Sequence, residues 1–229
     1  MIDIVPSHKS AFRSRKGFSL VELVTVMAII GVLATVSMTG LASLMSSNHL
    51  NEGTAIVQGQ LELARQTAKT LNRSVQLRLY QDQNNTSAAA PSIDCLQVVV
   101  PAENSATETD QPVEKPIFLP QNVIIADSTT DLTLTQFNGT GPSFELFNPA
   151  PPANYSYCYI LTFSTTGAIT ETDASGKLVS PISKNGTVYW PVSLVTQNLY
   201  RAKGSLGQMQ NYATFYLNSV NGTYSCARP

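Results

Sequence analysis

One carboxylate, Glu22, stands inside an almost uninterrupted apolar run from Phe18 to Met38. An ionised side chain at a membrane centre costs roughly 2.5–3.5 kcal/mol, so a glutamate kept there implies a function. The chemistry open to it is a charge-assisted contact with a cation in the same apolar surroundings. Opposite charges within about 4–6 Å favour each other's ionised forms. Gly17-Phe18 opens the run, and Gly17, lacking a side chain, suits close approach of a protease to the bond that follows it. A short basic segment precedes the junction, with Lys9, Arg13, Arg15 and Lys16 against one acid, Asp3.

The element that must position these residues is a helix. Phe18 to Met38 is long enough to cross a bilayer, and the basic flank sets the preceding end on the cytoplasmic side. A secretory signal peptide would have a shorter apolar core, with a small-residue cleavage site after it. Here the candidate junction lies before the run, so cleavage would leave the helix on the mature protein. A plain signal anchor accounts for the flank and the span but not for Gly17 or Glu22, and a buried core helix fits poorly with the flanking charge.

No proline occurs between Phe18 and Thr70; the first after the junction is Pro91. A helix of roughly 53 residues would be about 80 Å long. Gly31 and Gly40 allow bending or close packing in it. Its second half is amphipathic: Val57, Leu61, Ala64, Ala68, Leu71 and Val75 form one apolar stripe, while Glu62, Arg65, Gln66, Lys69 and Arg73 lie off it. That stripe predicts packing against a sheet of the same chain rather than a coiled coil.

Beyond the helix the patterning turns to strands. Val75–Tyr80 alternates as a half-buried strand and Gln81–Ser92 reads as a loop. Cys95–Val100 and Tyr157–Phe163 read as strands. Ile117–Ile125, interrupted by Pro120, and Ser143–Phe147 are weaker candidates. Pro101–Lys115 is acidic and turn-rich, which predicts an exposed excursion. Asn138-Gly139, Asn185-Gly186 and Asn221-Gly222 are hairpin signals, the last joining Tyr212–Leu217 to Thr223–Cys226. Ser193–Gln210 reads as loop or a short helix.

The chain of 229 residues carries a formal charge of −1, and loss of residues 1–17 removes four basic residues and Asp3, a net three positive charges, leaving −4. The chain without residues 1–17 offers no basic patch for nucleic acid. Arg201 and Lys203 form only a small local cluster. Three cysteines, Cys95, Cys158 and Cys226, all follow the helix. Outside the cytoplasm they allow one disulfide with a thiol left over, the pairing left open, or three small buried residues. Their spacing matches no metal site. Enzyme readings fare poorly: His8 precedes the junction and His49 follows the span. No Gly-x-Ser-x-Gly elbow or phosphate loop occurs, and Asp127, Asp131 and Glu145 are scattered acids. No catalytic residue, cofactor or metal is expected.

A basic leader, a Gly-Phe junction and a glutamate at the fifth position after it resemble the class III signal of type IV pilins and pseudopilins. The resemblance implies cleavage between Gly17 and Phe18 by a prepilin peptidase, methylation of the new amino group on Phe18, and a contact from that group to Glu22 of a neighbouring subunit. Gln60–Ala68 followed by Asn72-Arg73-Ser74-Val75-Gln76-Leu77 resembles the GspH/FimT group of minor pilins and pseudopilins. Leu119–Ile125 and the tail from Asn211 to Pro229 are similar to the Verru_Chthon cassette protein D subset.

Together these imply an α+β fold, a long N-terminal helix packed on a C-terminal antiparallel β-sandwich-like domain. Residues 1–17 would be the leader, 18–72 the helix (18–40 transmembrane) and 73–229 an extracytoplasmic β-rich domain. The implied role is a structural subunit of a type II secretion or type IV pilus-like filament. It would be held in the bacterial inner membrane with the N terminus cytoplasmic and the C-terminal domain periplasmic. Its partners would be the prepilin peptidase, other pilin or pseudopilin subunits and the membrane. A tip-located binding module for DNA, a surface or a secreted protein is the second reading, and a periplasmic domain on an anchor that never polymerises is the third. The tail from Thr223 to Pro229 has one basic residue, Arg228, which argues against DNA uptake, since phosphate contacts by Lys and Arg carry most DNA affinity.

Overall fold

The structure is a computed structural model that describes residues 18–82, 93–103, 109–126, 154–172, 182–184, 187–203 and 206–228. The candidate strand Ser143–Phe147, the turns at Asn138 and Asn185, and the acids Asp127, Asp131 and Glu145 lie outside them. The chain divides into two compact units at Leu44 and Met45. The architecture is α+β, with an N-terminal helix followed by a large antiparallel sheet.

Helix α1 runs from Leu20 to Leu71. It ends where Asn72 takes a left-handed conformation (φ 51°) and the Arg73 N–H donates to Ala68 O at 3.2 Å. This is a Schellman-type cap, with asparagine tolerating the positive φ, and it turns the chain into the first strand. The strands are β1 (Val75–Asp82), β2 (Ile93–Val100), β3 (Gln111–Pro112), β4 (Ile117–Phe118), β5 (Val123–Ile125) and β6 (Tyr155–Phe163). They continue with β7 (Ile169–Thr172), β8 (Ile182–Lys184), β9 (Thr187–Thr196), β10 (Tyr212–Asn218) and β11 (Tyr224–Ala227). They form one antiparallel sheet in the order β11-β10-β9-β5-β2-β1-β6-β7, with β3 and β4 also on β2 and β8 on β9. Between β9 and β10 lie α2 (Gln197–Lys203) and a 3-10 turn (Leu206–Gln208), so the segment Ser193–Gln210, expected to be loop or a short helix, is helical only after Thr196, and Ser193–Thr196 instead ends β9.

The two ends of the sheet are tied together. The Ile169 N–H in β7 donates to Ser219 O in the β10–β11 turn at 2.8 Å, and Trp190 Nε1 donates to Ile169 O at 3.2 Å. Gly167 and Gly222 make this closure sterically accessible: both have positive φ, and a Cβ on Gly222 would fall 2.2 Å from Gly167 O. The Asn221-Gly222 hairpin signal therefore does more than reverse the chain; it seats the closing turn.

The core lies between the second half of α1 and the inner face of the sheet. Leu50, Val57, Leu61, Ala64 and Ala68 pack with Leu77, Leu79, Val98, Leu194 and Phe215. A Cβ at Gly53 would meet Val123 Cγ1 at 2.9 Å, so the absence of a side chain there sets how closely helix and sheet approach. The apolar stripe is confirmed through Ala68, but Leu71 departs from it and is 50% exposed. The helix ends there and the chain has begun to turn away.

The sheet's other face is also covered. Arg78 and Tyr80 alternate outward from β1 yet are 1% and 0% exposed, so β1 is buried on both sides rather than half-buried. The cover is the segment expected to be an exposed excursion. Its β3 pairs with β2, Val99 facing Pro112. Asp110 forms an ion pair with Arg78 and accepts the Ala102 N–H at 2.8 Å. Arg78 also donates to Gln76 Oε1 at 2.8 and 3.1 Å. Tyr80 OH donates to Gln97 Oε1 at 3.1 Å, and Gln97 Nε2 reaches Glu114 O at 3.3 Å. Part of the Pro101–Lys115 segment is thus a strap, held by charge and hydrogen bonds that composition alone does not distinguish from a solvated loop.

Strand β9 contains Pro191, a residue that ordinarily argues against an interior strand. The Asn218 N–H donates to Thr223 O at 2.8 Å, which fixes the alternation of β10 and makes Tyr216–Pro191 a non-hydrogen-bonded pair. Pro191 therefore points its missing donor away from β10. On that side, among the described residues, β8 reaches only Tyr189 and β5 only Leu194, so no described strand asks Pro191 for a bond.

At one end of β1, β2 and β6, burial pushes the Asp94 carboxyl up to about 6; a hydrogen bond from Tyr155 opposes the rise and the Asp82 charge adds to it. The Tyr155 phenol is pushed up by its own burial and then by the Asp94 charge.

Two outcomes follow from these polar groups. Asp110→Ala leaves the Arg78 guanidinium buried without its counter-charge and is expected to lower the unfolding free energy by about 3 kcal/mol in urea titration. Arg78→Met, which removes the buried charge itself, is expected to cost less; the opposite ranking would contradict this account. Asp94 has a folded pKa above its unfolded value, so its stabilising contribution is full below about 3.8 and is lost as pH rises through about 6. Asp94→Asn should accordingly raise the melting temperature at neutral pH and leave it unchanged below about pH 3.8, whereas a pH-independent difference would refute the assignment.

Candidate processing and assembly site

Gly17 and the rest of the leader lie outside the described residues; Phe18 is the first residue described and is 82% exposed. Phe18 and Ser19 precede the helix, and the Leu23 N–H donates to Ser19 O at 3.1 Å, so Ser19 takes the N-cap position. Glu22 then falls in the first turn of α1 and is exposed. A carboxylate here meets the positive end of the helix dipole, worth about 0.3–1 kcal/mol near a surface. Ser19-Leu20-Val21-Glu22 also has the Ser-x-x-Glu spacing of a capping box, a structural use of the glutamate that sequence reasoning passed over. Both effects favour a negative charge at the point where a cleaved chain would present a positive one.

The helix behind Glu22 is apolar on every side. Leu20, Val21, Leu23, Met27, Ile29, Val32 and Leu33 are 57–79% exposed, so within one copy nothing described covers them. The hydroxyls of this stretch are satisfied locally: Thr25 Oγ1 donates to Glu22 O at 2.9 Å and Thr35 Oγ1 to Val32 O at 2.8 Å. Turned back on the helix backbone, neither hydroxyl requires a water partner. Among the described residues no helix is long and apolar enough to cross a membrane. The apolar half has described side chains only as far as Thr35, short of the ~20 residues a bilayer asks for, and the expected span 18–40 continues past them.

The remaining candidate residues are dispersed. His49 is partly buried on α1, and no cluster of three His, Cys, Asp or Glu side chains is found among the described residues. Arg201 and Lys203 occupy the last turn of α2, where cations suit a helix C terminus. Arg228 turns back onto α1, donating to Asn51 Oδ1 and, at 2.9 Å, to Thr54 Oγ1. The tail's one cation is therefore engaged within the chain.

Of the three cysteines, Cys158 has its side chain outside the described ones. Cys226 is an exposed free thiol on β11. Cys95 on β2 and Cys158 on β6 both stand opposite Tyr80 of β1, one on each side. Two strand spacings, roughly 9–10 Å, then separate their Cα atoms, beyond the limit of about 7 Å for a bridge. Register decides this, and spacing along the chain carries no information about it.

No curated protein and no solved structure matches the chain. Residues 12–38, which hold Gly17, Phe18 and Glu22 together, match the family model described as the prokaryotic N-terminal methylation motif. The chain therefore carries a type IV pilin-like prepilin signal at its N terminus.

Proposed function

We propose that this chain is a minor pilin or pseudopilin of the GspH/FimT type, a structural subunit and not an enzyme. It is cut between Gly17 and Phe18 by a prepilin peptidase, methylated on Phe18, and assembled into a type II secretion or type IV pilus-like filament. Before assembly it sits in the bacterial inner membrane, residues 18–40 spanning and the β domain periplasmic. The observation that carries this reading is the methylation-motif match over residues 12–38. Its support in the fold is the pair of properties at the start of α1: an exposed apolar surface, and a lone carboxylate in the first turn.

The roles divide by residue. Gly17 admits the peptidase to the scissile bond, and Phe18 supplies the amino group that cleavage exposes. Glu22 pairs with the Phe18 amino group of a neighbouring subunit, so that neither charge is buried alone and the axial position of the incoming helix is set. Exposed apolar side chains from Leu20 to Leu33 then exchange lipid or water for one another.

Glu22→Ala is expected to leave cleavage intact and to reduce recovery of the protein in sheared filaments at least tenfold, read by immunoblot of filament and membrane fractions. Glu22→Asp should recover part of the loss. Incorporation of Glu22→Ala at the wild-type level would remove the carboxylate from the assembly step.

A further inference from the structure

Within the unit Met45–Pro229, a groove of about 470 Å³ lies beside the last turns of α1. Leu63, Thr70 and Leu71 of the helix form one wall, with Val100, Pro112 and Val113 opposite, and no charged side chain lines it. The exposed large apolar side chains described beyond residue 45 are Leu71, Val113, Phe118, Leu199 and Val220; two of these five line the groove. Part of the unit's uncovered apolar surface thus lies here, beside the neutral Gln66, Thr67 and Gln111 and without charges.

We propose that this groove seats the apolar N-terminal helix of a second copy of the chain, an inference that rests on the assembly reading above. The lining selects the type of occupant. An extended peptide brings unpaired backbone groups and needs a strand edge to receive them. The strand at this groove is β3, two residues long, and Pro112 has no N–H to give. A helix satisfies its backbone internally and asks only for apolar contact. Charge selects the occupant's identity. From Leu20 to Leu33 the helix carries one charged side chain, Glu22 in its first turn, and is apolar all round thereafter. The uncharged groove and the uncovered helix are therefore matched in polarity, and both are left exposed by a single copy.

The test uses two differently tagged full-length copies expressed together, one with Thr70→Cys in the groove and one with Ile29→Cys on the helix, both carrying Cys226→Ser. Thr70 and Ile29 are exposed, so neither substitution disturbs the core. A short thiol-specific cross-linker applied to filaments and membranes should give a mixed dimer at least tenfold above controls in which either introduced cysteine is omitted. Val113→Lys in the groove should abolish that dimer while the melting temperature stays within a few degrees of wild type. Filaments that form normally but give no mixed dimer would overturn the groove assignment and leave the assembly reading intact. A mixed dimer in membranes without filaments would support the groove and contradict the assembly reading, and absence of the dimer from both fractions would overturn the groove.

Discussion

Apolar side chains must leave water somewhere, and one helix of this chain meets that demand in two ways. From Leu50 to Ala68, α1 is buried by the chain's own sheet, with Ala64 and Ala68 fully covered. From Leu20 to Leu33 the same helix is uncovered in a single copy. Each Val, Leu, Ile or Met there stands to gain about 1.5–3 kcal/mol on full burial, so covering this half by any apolar surface is favourable. A charge in such surroundings is tolerated only with a partner, which gives Glu22 its weight.

The sheet's construction suits a domain that must hold the second half of the helix securely. Its inner face is filled by aliphatic side chains against α1, and the turn at Gly222 ties the two sheet ends together through Ile169 and Ser219. On the outer face Arg78, Gln76, Asp110, Tyr80 and Gln97 make a buried polar layer under the strap. Such layers contribute little net stability, but each member punishes misregistration, because a slip of one residue would bury a guanidinium against the core. The strap is thereby bound to the sheet, and β2 is paired along both of its edges.

Much of this was legible from residue patterns. The unbroken helix, the strands at residues 75–80, 95–100 and 157–163, and the closing hairpin follow from periodicity and from turn chemistry at Asn221. Three features were hidden for physical reasons. Strand β9 contains Pro191, whose acceptability depends on its standing at a non-hydrogen-bonded position opposite Tyr216, which no local pattern announces. The segment Pro101–Lys115 is acidic and turn-rich, as solvated loops are, and only Arg78 on a distant strand makes Asp110 a buried partner. The cysteines could be counted but not paired, since Cys95 and Cys158 are kept apart by Tyr80 between them. At the N terminus the balance is reversed. The Gly17-Phe18 junction and Glu22 were legible as chemistry, while the structure adds the Ser19 N-cap, the local satisfaction of Thr25 and Thr35, and the exposure of the helix.

The central claim is that the mature chain begins at Phe18. The direct measurement is mass spectrometry of the N-terminal peptide from the native host, with and without its prepilin peptidase. The account predicts a peptide starting at Phe18, heavier by one methyl group, only where the peptidase is present. An intact leader retained equally in both strains would contradict it and leave a β domain on an unprocessed anchor.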